Sequence, residues 1–361
     1  MNQRLLDRYL FREAGGAWIA VTVVLLAIML STRFARFLAQ AAAGELPREL
    51  LFKVAALSSL EFLVILVPVS LLLAIMLALG RLYRDSEVAA MTGCGVGLGD
   101  FYRPFLTLGA VLAIITAALA FQIGPWAGRT ADYLVKNAAR YIQFNPFEEG
   151  RFKAVAGNRA VFYTEKMSDN GSRLQNVVAQ VRQDNGVSFV TAEAGSQTVD
   201  PVTGERAVRL QRGYRYRGEP GQAAYDVMRF DEFSTRVAPP EFIYKSSKRR
   251  LMQTADLVGS SDPQDQAELA RRISAPISVF ILALLAVPLS HIAPRKGRYG
   301  KIAIGVLAYL AYSQLINVGH AWIAKGKVSA AIGIWWVHAL MLAWALILIA
   351  MRANLFRRLT P

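Results

Sequence analysis

Six apolar runs, each about as long as a bilayer crossing, fall in two groups of three around a polar block. The runs cover residues 14–32, 54–80, 104–126, 273–293, 302–324 and 332–351. A hydrocarbon core of ~30 Å takes about 20 helical residues, so each run is read as a membrane-spanning helix. Inside a bilayer no water satisfies the backbone, and a helix pairs its own amides and carbonyls. The 361 residues are 54% hydrophobic, above the usual share for a soluble domain, which supports the same class.

The interruption, residues 129–272, is of a different kind. VFYTEK, LQNVVAQVRQ, VSFVTAEAG and AVRLQRGYRYRG alternate apolar with polar residues, the period of strands with one wet face. Before them, GRTADYLVKNAARYIQF keeps helical spacing, with Tyr133, Lys136, Arg140 and Gln143 on its polar side, and is read as a stalk. After them, residues 241–272 return to the membrane through a polar, partly helical linker. The expected organisation is a first transmembrane half (1–128), an inserted all-β domain with stalk and linkers (129–272) and a second transmembrane half (273–361).

The formal charge of +15 comes mostly from Lys and Arg that flank the apolar runs, and the chain has no basic and aromatic stripe of the nucleic-acid-binding-module kind. That pattern fits lipid headgroups and charge-biased insertion, not nucleic acid. Lys and Arg crowd the N-terminus, the 81–103 and 295–301 loops and the tail. The opposite side carries Arg33, Arg36, Arg48, Lys53, Lys325 and Lys327. The bias places both termini in the cytoplasm and the β block outside it, the periplasm in a bacterium. The basic start, MNQRLLDRYLFRE, leads into a run too long for a signal peptide and without a small-residue cleavage site, so a retained helix is expected.

Catalytic motifs are sparse. GCGVGLG at 93–99 lacks the Walker and dinucleotide spacings and follows no strand, so it is read as a joint and not a phosphate cradle. Cys94, the single cysteine, has no second thiol for zinc or redox exchange. His291, His320 and His338 are scattered over separate runs, which fits packing rather than a metal site.

Three features do invite function. Glu61 is the only acid inside an apolar run, a possible intramembrane polar site, with Arg33 or Arg36 as the expected partner. Arg33 and Arg36 themselves sit where the charge bias disfavours cations; they either snorkel to headgroups or grip an anion, and guanidinium forks match phosphate oxygens. The loop YRDSEVAAMTG reads as a short cytoplasmic helix capped by Asp85 or Ser86 with Glu87 in its first turn. A permease driven by a soluble motor needs such a helix to receive force.

At these residues the chain resembles the lipopolysaccharide export permeases of Gram-negative bacteria, the LptF/LptG family, and its LptF branch more than its LptG branch. The resemblance is carried by RYLFRE, RFARFL with AAAGELP, PVSLLLAIMLALGRLYRDSEVAAM, ELARRIS, VPLSHIAPRKGR and the KGK between the last two runs. It spans essentially the whole chain, strongly in the membrane halves and by architecture in the β block.

The resemblance implies six transmembrane helices (3+3) with an inserted periplasmic jellyroll-like domain. It implies a homologous partner permease, LptG, two copies of the cytoplasmic ATPase LptB, and the single-span LptC. It further implies lipopolysaccharide as cargo and a periplasmic bridge protein, LptA, reached through the β domain. Arg33 and Arg36, with Lys325 and Lys327 of the KGK loop, would contact substrate, and apolar faces of the first, second and fifth spans would hold acyl chains. Arg84, Asp85 and Glu87 would couple to the ATPase. No cofactor is expected, and no enzyme activity in this chain. Two rivals remain: a proton-coupled secondary transporter with Glu61 as relay, and a membrane-anchored envelope assembly scaffold.

Overall fold

The computed structural model describes residues 3–42, 48–143, 147–155, 160–169, 171–183, 186–199, 206–218, 225–237, 244, 246–291 and 298–357. The chain forms two compact units. One comprises Met1–Phe37, Leu51–Asp132 and Ser246–Pro361, and the other Leu38–Leu50 and Tyr133–Lys245. The basic loop at 295–297 and the last four residues, which entered the charge bias, lie outside the described residues.

The helices fall mainly in the first unit, with the end of α1, the start of α2 and the second half of α5 assigned to the other: α1 (Gln3–Ala42), α2 (Arg48–Arg84), α3 (Glu87–Gly93), α4 (Leu98–Ala118), α5 (Gly124–Gln143), α6 (Thr254–Leu257), α7 (Pro263–Leu289), α8 (Arg298–Ala324), α9 (Ala330–Gly333) and α10 (Trp335–Arg357). Among the described residues, six segments are long and apolar enough to cross a membrane, α4 and α5 forming one of them together. The chain is a multi-pass helical membrane protein carrying an inserted β domain.

Helices α1, α2, α5 and α8 overrun their apolar runs into polar sequence, while α7 stops at Leu289, short of the end of its run, and α10 begins at Trp335, inside its own after the separate turn α9. At its other end α7 starts ahead of its run, at Pro263. Asp262 caps it by accepting from the Gln264 amide at 2.8 Å, and Pro263 needs no donor in the first turn. Its polar first turns therefore project beyond the apolar run.

The core lies between α2, α4, α7 and α10. Leu71, Leu72, Ile75, Leu79 and Leu82 of α2 meet Phe105, Leu108 and Leu112 of α4 and Val279, Leu282 and Ala286 of α7. Lipid tails are as apolar as leucine, so close packing rather than escape from water holds these helices together. Helix α1 differs: it buries Leu6, Leu10 and Ala14 near its start and then only Thr22, leaving Ile19, Val23, Val24 and Ile28 exposed.

Between α4 and α5, residues Leu119–Ile123 form a π-helical turn. Widening the ladder frees a carbonyl, and the Thr254 hydroxyl donates to the Phe121 carbonyl there.

The second unit is a six-stranded antiparallel sheet in sequence order: β1 (Lys153–Val155), β2 (Ala160–Ser168), β3 (Arg173–Gln183), β4 (Gly186–Val199), β5 (Arg206–Gly218) and β6 (Asp226–Val237). Its apolar face gathers Phe147, Phe162, Leu174, Val177, Ala179, Val190, Ala192, Val208, Leu210 and Phe230.

One row breaks the pleat in five strands at once. Glu165, Asn176, Glu193, Arg212 and Asp231 stand side by side, all exposed and all left out of the ladder, while the pairs on either side keep register. Inward positions there step by three instead of two: Thr164 to Met167, Val177 to Leu174, Ala192 to Gly195, Gly213 to Leu210 and Phe230 to Phe233. Asn176 (φ 47°) and Arg212 (φ 51°) adopt left-handed backbone, which makes the row a bulge-like bend. Gly213 beside it has no substitute, since a Cβ would meet the Thr191 carbonyl oxygen at 2.1 Å.

Candidate functional site

The cations expected to meet substrate lie at one end of the helical unit. Arg33 and Arg36, three positions apart on α1, share a face. The Arg33 guanidinium sits 4.5 Å from the centre of the Phe62 ring, a cation–π contact, and Arg36 is exposed.

Glu61 does not pair with Arg33 or Arg36 as expected. Its carboxylate meets Arg250 at 3.1 Å. Neighbouring helix positions diverge by about 100°, so while Phe62 turns to α1, Glu61 turns to α5 and the returning chain. A Cβ on Gly128 would lie 3.2 Å from the Glu61 carboxylate and 2.8 Å from a Leu251 methyl, so a larger residue there would displace both side-chain ends.

Arg250 belongs to a clamp built by the chain as it re-enters the helical unit. The buried Arg272 donates to Glu268 (3.0 Å), to the Thr254 hydroxyl (2.7 Å) and to the carbonyls of Arg250 (3.1 Å) and Met252 (2.9 Å). Arg271 grips the same Glu268 through two bonds of 2.9 and 2.8 Å. Arg249 reaches Asp262 (2.8 Å) and Asp265 (2.6 Å), Lys248 reaches Asp132 (2.7 Å), and Arg129 donates to the Leu251 carbonyl (3.1 Å). A guanidinium has five donors in a fixed plane, and Arg272 uses four of them to hold the 250–254 stretch against its own helix, α7.

These residues rim an open, mostly apolar cleft of about 640 Å³, within the range of small-ligand sites. Phe62, Val64, Ile65, Leu119, Ala120 and Ala324 supply apolar lining. Arg250, Arg271 and His320 also reach it, each cation already paired with a carboxylate.

Lys325 and Lys327 occupy the exposed turn after α8, closed by backbone bonds from Lys325 to Ala321 (3.2 Å) and from Lys327 to Trp322 (3.0 Å). The alternation of helices puts this turn at the same end as Arg33. Ala324, the residue before Lys325, lines the cleft with Phe62, the residue beneath Arg33.

The short helix expected around Glu87 exists as α3, at the opposite end, but neither expected cap forms. Ser86 holds the N-cap position in left-handed backbone (φ 59°) with no side-chain bond, and Asp85 turns back to Arg84 at 3.0 Å. The chain reverses too tightly after α2 for an extended capping residue: the Asp85 and Ser86 amides still bond to Arg81 and Tyr83.

Glu87 is held from the side. The Tyr9 hydroxyl donates to it at 2.6 Å, and Arg81 donates to the same hydroxyl at 3.1 Å while pairing with Glu13 at 2.8 Å. Val88, the buried residue of α3, joins the cluster of Leu6, Leu10 and Leu82. Arg84 and Asp85 remain exposed.

Tyr9, Glu13, Arg81 and Arg250 were not recognisable as site residues in the sequence, because each acts through a partner on a different segment. Glu268 with Arg271 and Arg272 was also missed, although an acid followed by bases at the three- and four-residue helical spacing was a signal that could have found it.

The buried histidine resolves as packing. His338 is bonded by Ser274 at 2.8 Å and by the Tyr312 hydroxyl, which ties α7, α8 and α10 together. Among the described residues no group of three or more metal-ligating side chains occurs.

Comparison with known proteins agrees with this architecture. Residues 8–351 match the family model described as lipopolysaccharide export system permease LptF/LptG. The chain is 27% identical over 347 residues to the lipopolysaccharide export system permease protein LptF of Escherichia coli strain K12, covering 95% of this chain and 94% of that protein. The LptF proteins of E. coli O157:H7 and Shigella flexneri match to the same extent.

Proposed function

Since the chain belongs to the LptF/LptG family of lipopolysaccharide export system permeases, we propose that it is the membrane-embedded permease subunit of an ABC transporter. ATP is hydrolysed on a separate cytoplasmic subunit, LptB, present in two copies. LptG is the partner permease and LptC an associated single-span protein. Lipopolysaccharide is drawn from the inner membrane and passed, through the β domain, to the periplasmic bridge protein LptA. Both termini then face the cytoplasm and the β domain the periplasm. This division implies the boundaries 1–128, 129–272 and 273–361.

The observation that supports this reading is the separation of two chemistries along α1. Tyr9 and Arg33 are 24 positions apart, about 36 Å along a helix, enough to cross a hydrocarbon core. At one end stands a short helix with an acid in its first turn, and at the other a pair of arginines beside an apolar cleft. Arg33, Arg36, Lys325 and Lys327 take the phosphates of the substrate; Arg84, Asp85 and Glu87 form the contact with the ATPase. The pairing of Glu61 with Arg250 favours a structural role for that acid over a proton relay.

Purification of the chain from native membranes, with identification of bound proteins and lipids, tests the proposal. A second permease, an ATPase and lipopolysaccharide are expected together. Substrate movement on a pH gradient without any ATPase would overturn it.

A further inference from the structure

We infer that Tyr9, Glu13 and Arg81 gear α3 to α1, so that a displacement of α3 by its motor moves α1 as a lever and with it Arg33 and Arg36. The inference rests on the proposed docking of an ATPase at Glu87 and adds how that motion reaches the substrate end.

Three observations carry it. The contacts converge: Tyr9 and Glu13, one turn apart on α1, both engage Arg81 at the end of α2, and Tyr9 also engages Glu87 at the start of α3. A second bond brackets α3 from its far side, where Gln3 donates to Asp100 at 3.2 Å and Asp100 accepts from the Gly97 amide at 3.0 Å. Val88 fills the space between, against Leu6 and Leu10. With seven residues, α3 is too short to hold itself, so its position is set by these contacts.

The rest of α1 is built to transmit the motion. It is one uninterrupted helix of 40 residues, and beyond Ala14 it buries only Thr22. Near its far end it meets α2 through the rings of Phe34 and Phe52, 5.7 Å apart, and through Arg33 on Phe62. A rod fixed at one end and lightly held at the other turns a small movement at Tyr9 into a displacement at Arg33. Tyr9, Glu13 and Arg81 are positioning residues in this scheme, since none touches substrate.

The test uses the complete transporter in proteoliposomes, with Cys94 replaced by Ser and nitroxide labels on Ala35→Cys and Ala56→Cys, both exposed positions of α1 and α2. Nucleotide is expected to shift the distance between the labels. In Tyr9→Phe and in Glu13→Gln that shift disappears, and lipopolysaccharide released per ATP falls by at least about five-fold, the lower end of usual coupling energies. ATPase binding and a label on Ala90→Cys in α3 still respond to nucleotide. If both variants keep the α1 shift and the release ratio, the gearing is wrong. If Glu87→Ala leaves ATPase binding and coupling untouched, the docking reading has failed first.

Discussion

Arg250 neutralises Glu61 across 3.1 Å, and through Arg250 the acid of α2 is tied to the chain returning from the β domain. Both groups keep partial contact with solvent, so the pair contributes roughly 1 kcal/mol. Glu61→Gln is expected to lower the unfolding temperature of the purified complex slightly and to leave export intact. Export lost at unchanged stability would show that Glu61 serves transport directly.

Arg272 is a harsher case, because it is buried and feeds four acceptors. Arg272→Met orphans two carbonyls and weakens the hold on buried Glu268, at a cost of roughly 3–5 kcal/mol. Thermal unfolding and membrane yield should both drop sharply, whereas Arg250→Met, at an exposed position whose partner Glu61 also keeps contact with solvent, should cost far less.

For the proposed substrate contacts, charge reversal is the informative change. Arg33→Glu with Arg36→Glu should reduce photo-crosslinking of lipopolysaccharide near α1 by about ten-fold or more, equivalent to ~1.4 kcal/mol. Arg33→Lys should retain part of it, since an ammonium keeps the charge but loses the planar fork and much of the stacking on Phe62. Unchanged crosslinking in the double variant removes these residues from the substrate path.

At the opposite end, Glu87→Ala should weaken co-purification with the ATPase or leave hydrolysis running without export. Intact assembly with normal export would refute the contact. Arg84→Ala, whose side chain is exposed and pairs with Asp85, should have the milder effect because that pair is a surface one.

Within the β domain, Gly213→Val should be among the most damaging substitutions. Its Cβ would collide with the Thr191 carbonyl and with the Phe230 ring at 2.5 Å. Overpacking of this kind costs roughly 3 kcal/mol, and limited proteolysis of the full-length protein should then cut within β4–β6 at a denaturant concentration where the wild type resists.

The helices were legible because long apolar runs have one solution in a bilayer, and the strands because VFYTEK and its neighbours alternate. The bend was not. A strict period of two from Phe162 and Thr164 puts Lys166 inside, where the structure puts Met167; nothing within β2 marks the skip. It becomes visible only when five strands are aligned. Likewise, Arg33, Arg36 and Glu87 stood out as charges in unusual company, but Tyr9 and Arg250 are ordinary residues until distant segments meet them. The expected caps at Asp85 and Ser86 failed because cap statistics describe an extended entry, and here the chain enters α3 through a reversal.

The aligned break across the sheet restricts how such a chain can change in length. One residue inserted or deleted inside β3, β4 or β5 would carry that strand's break out of line with its two neighbours and turn every inward side chain beyond it outward. Compensation would require the same change in all five strands at once. Length variation among homologues is therefore expected to gather in the connections between strands, with the spacing from each turn to the row of Glu165, Asn176, Glu193, Arg212 and Asp231 held constant.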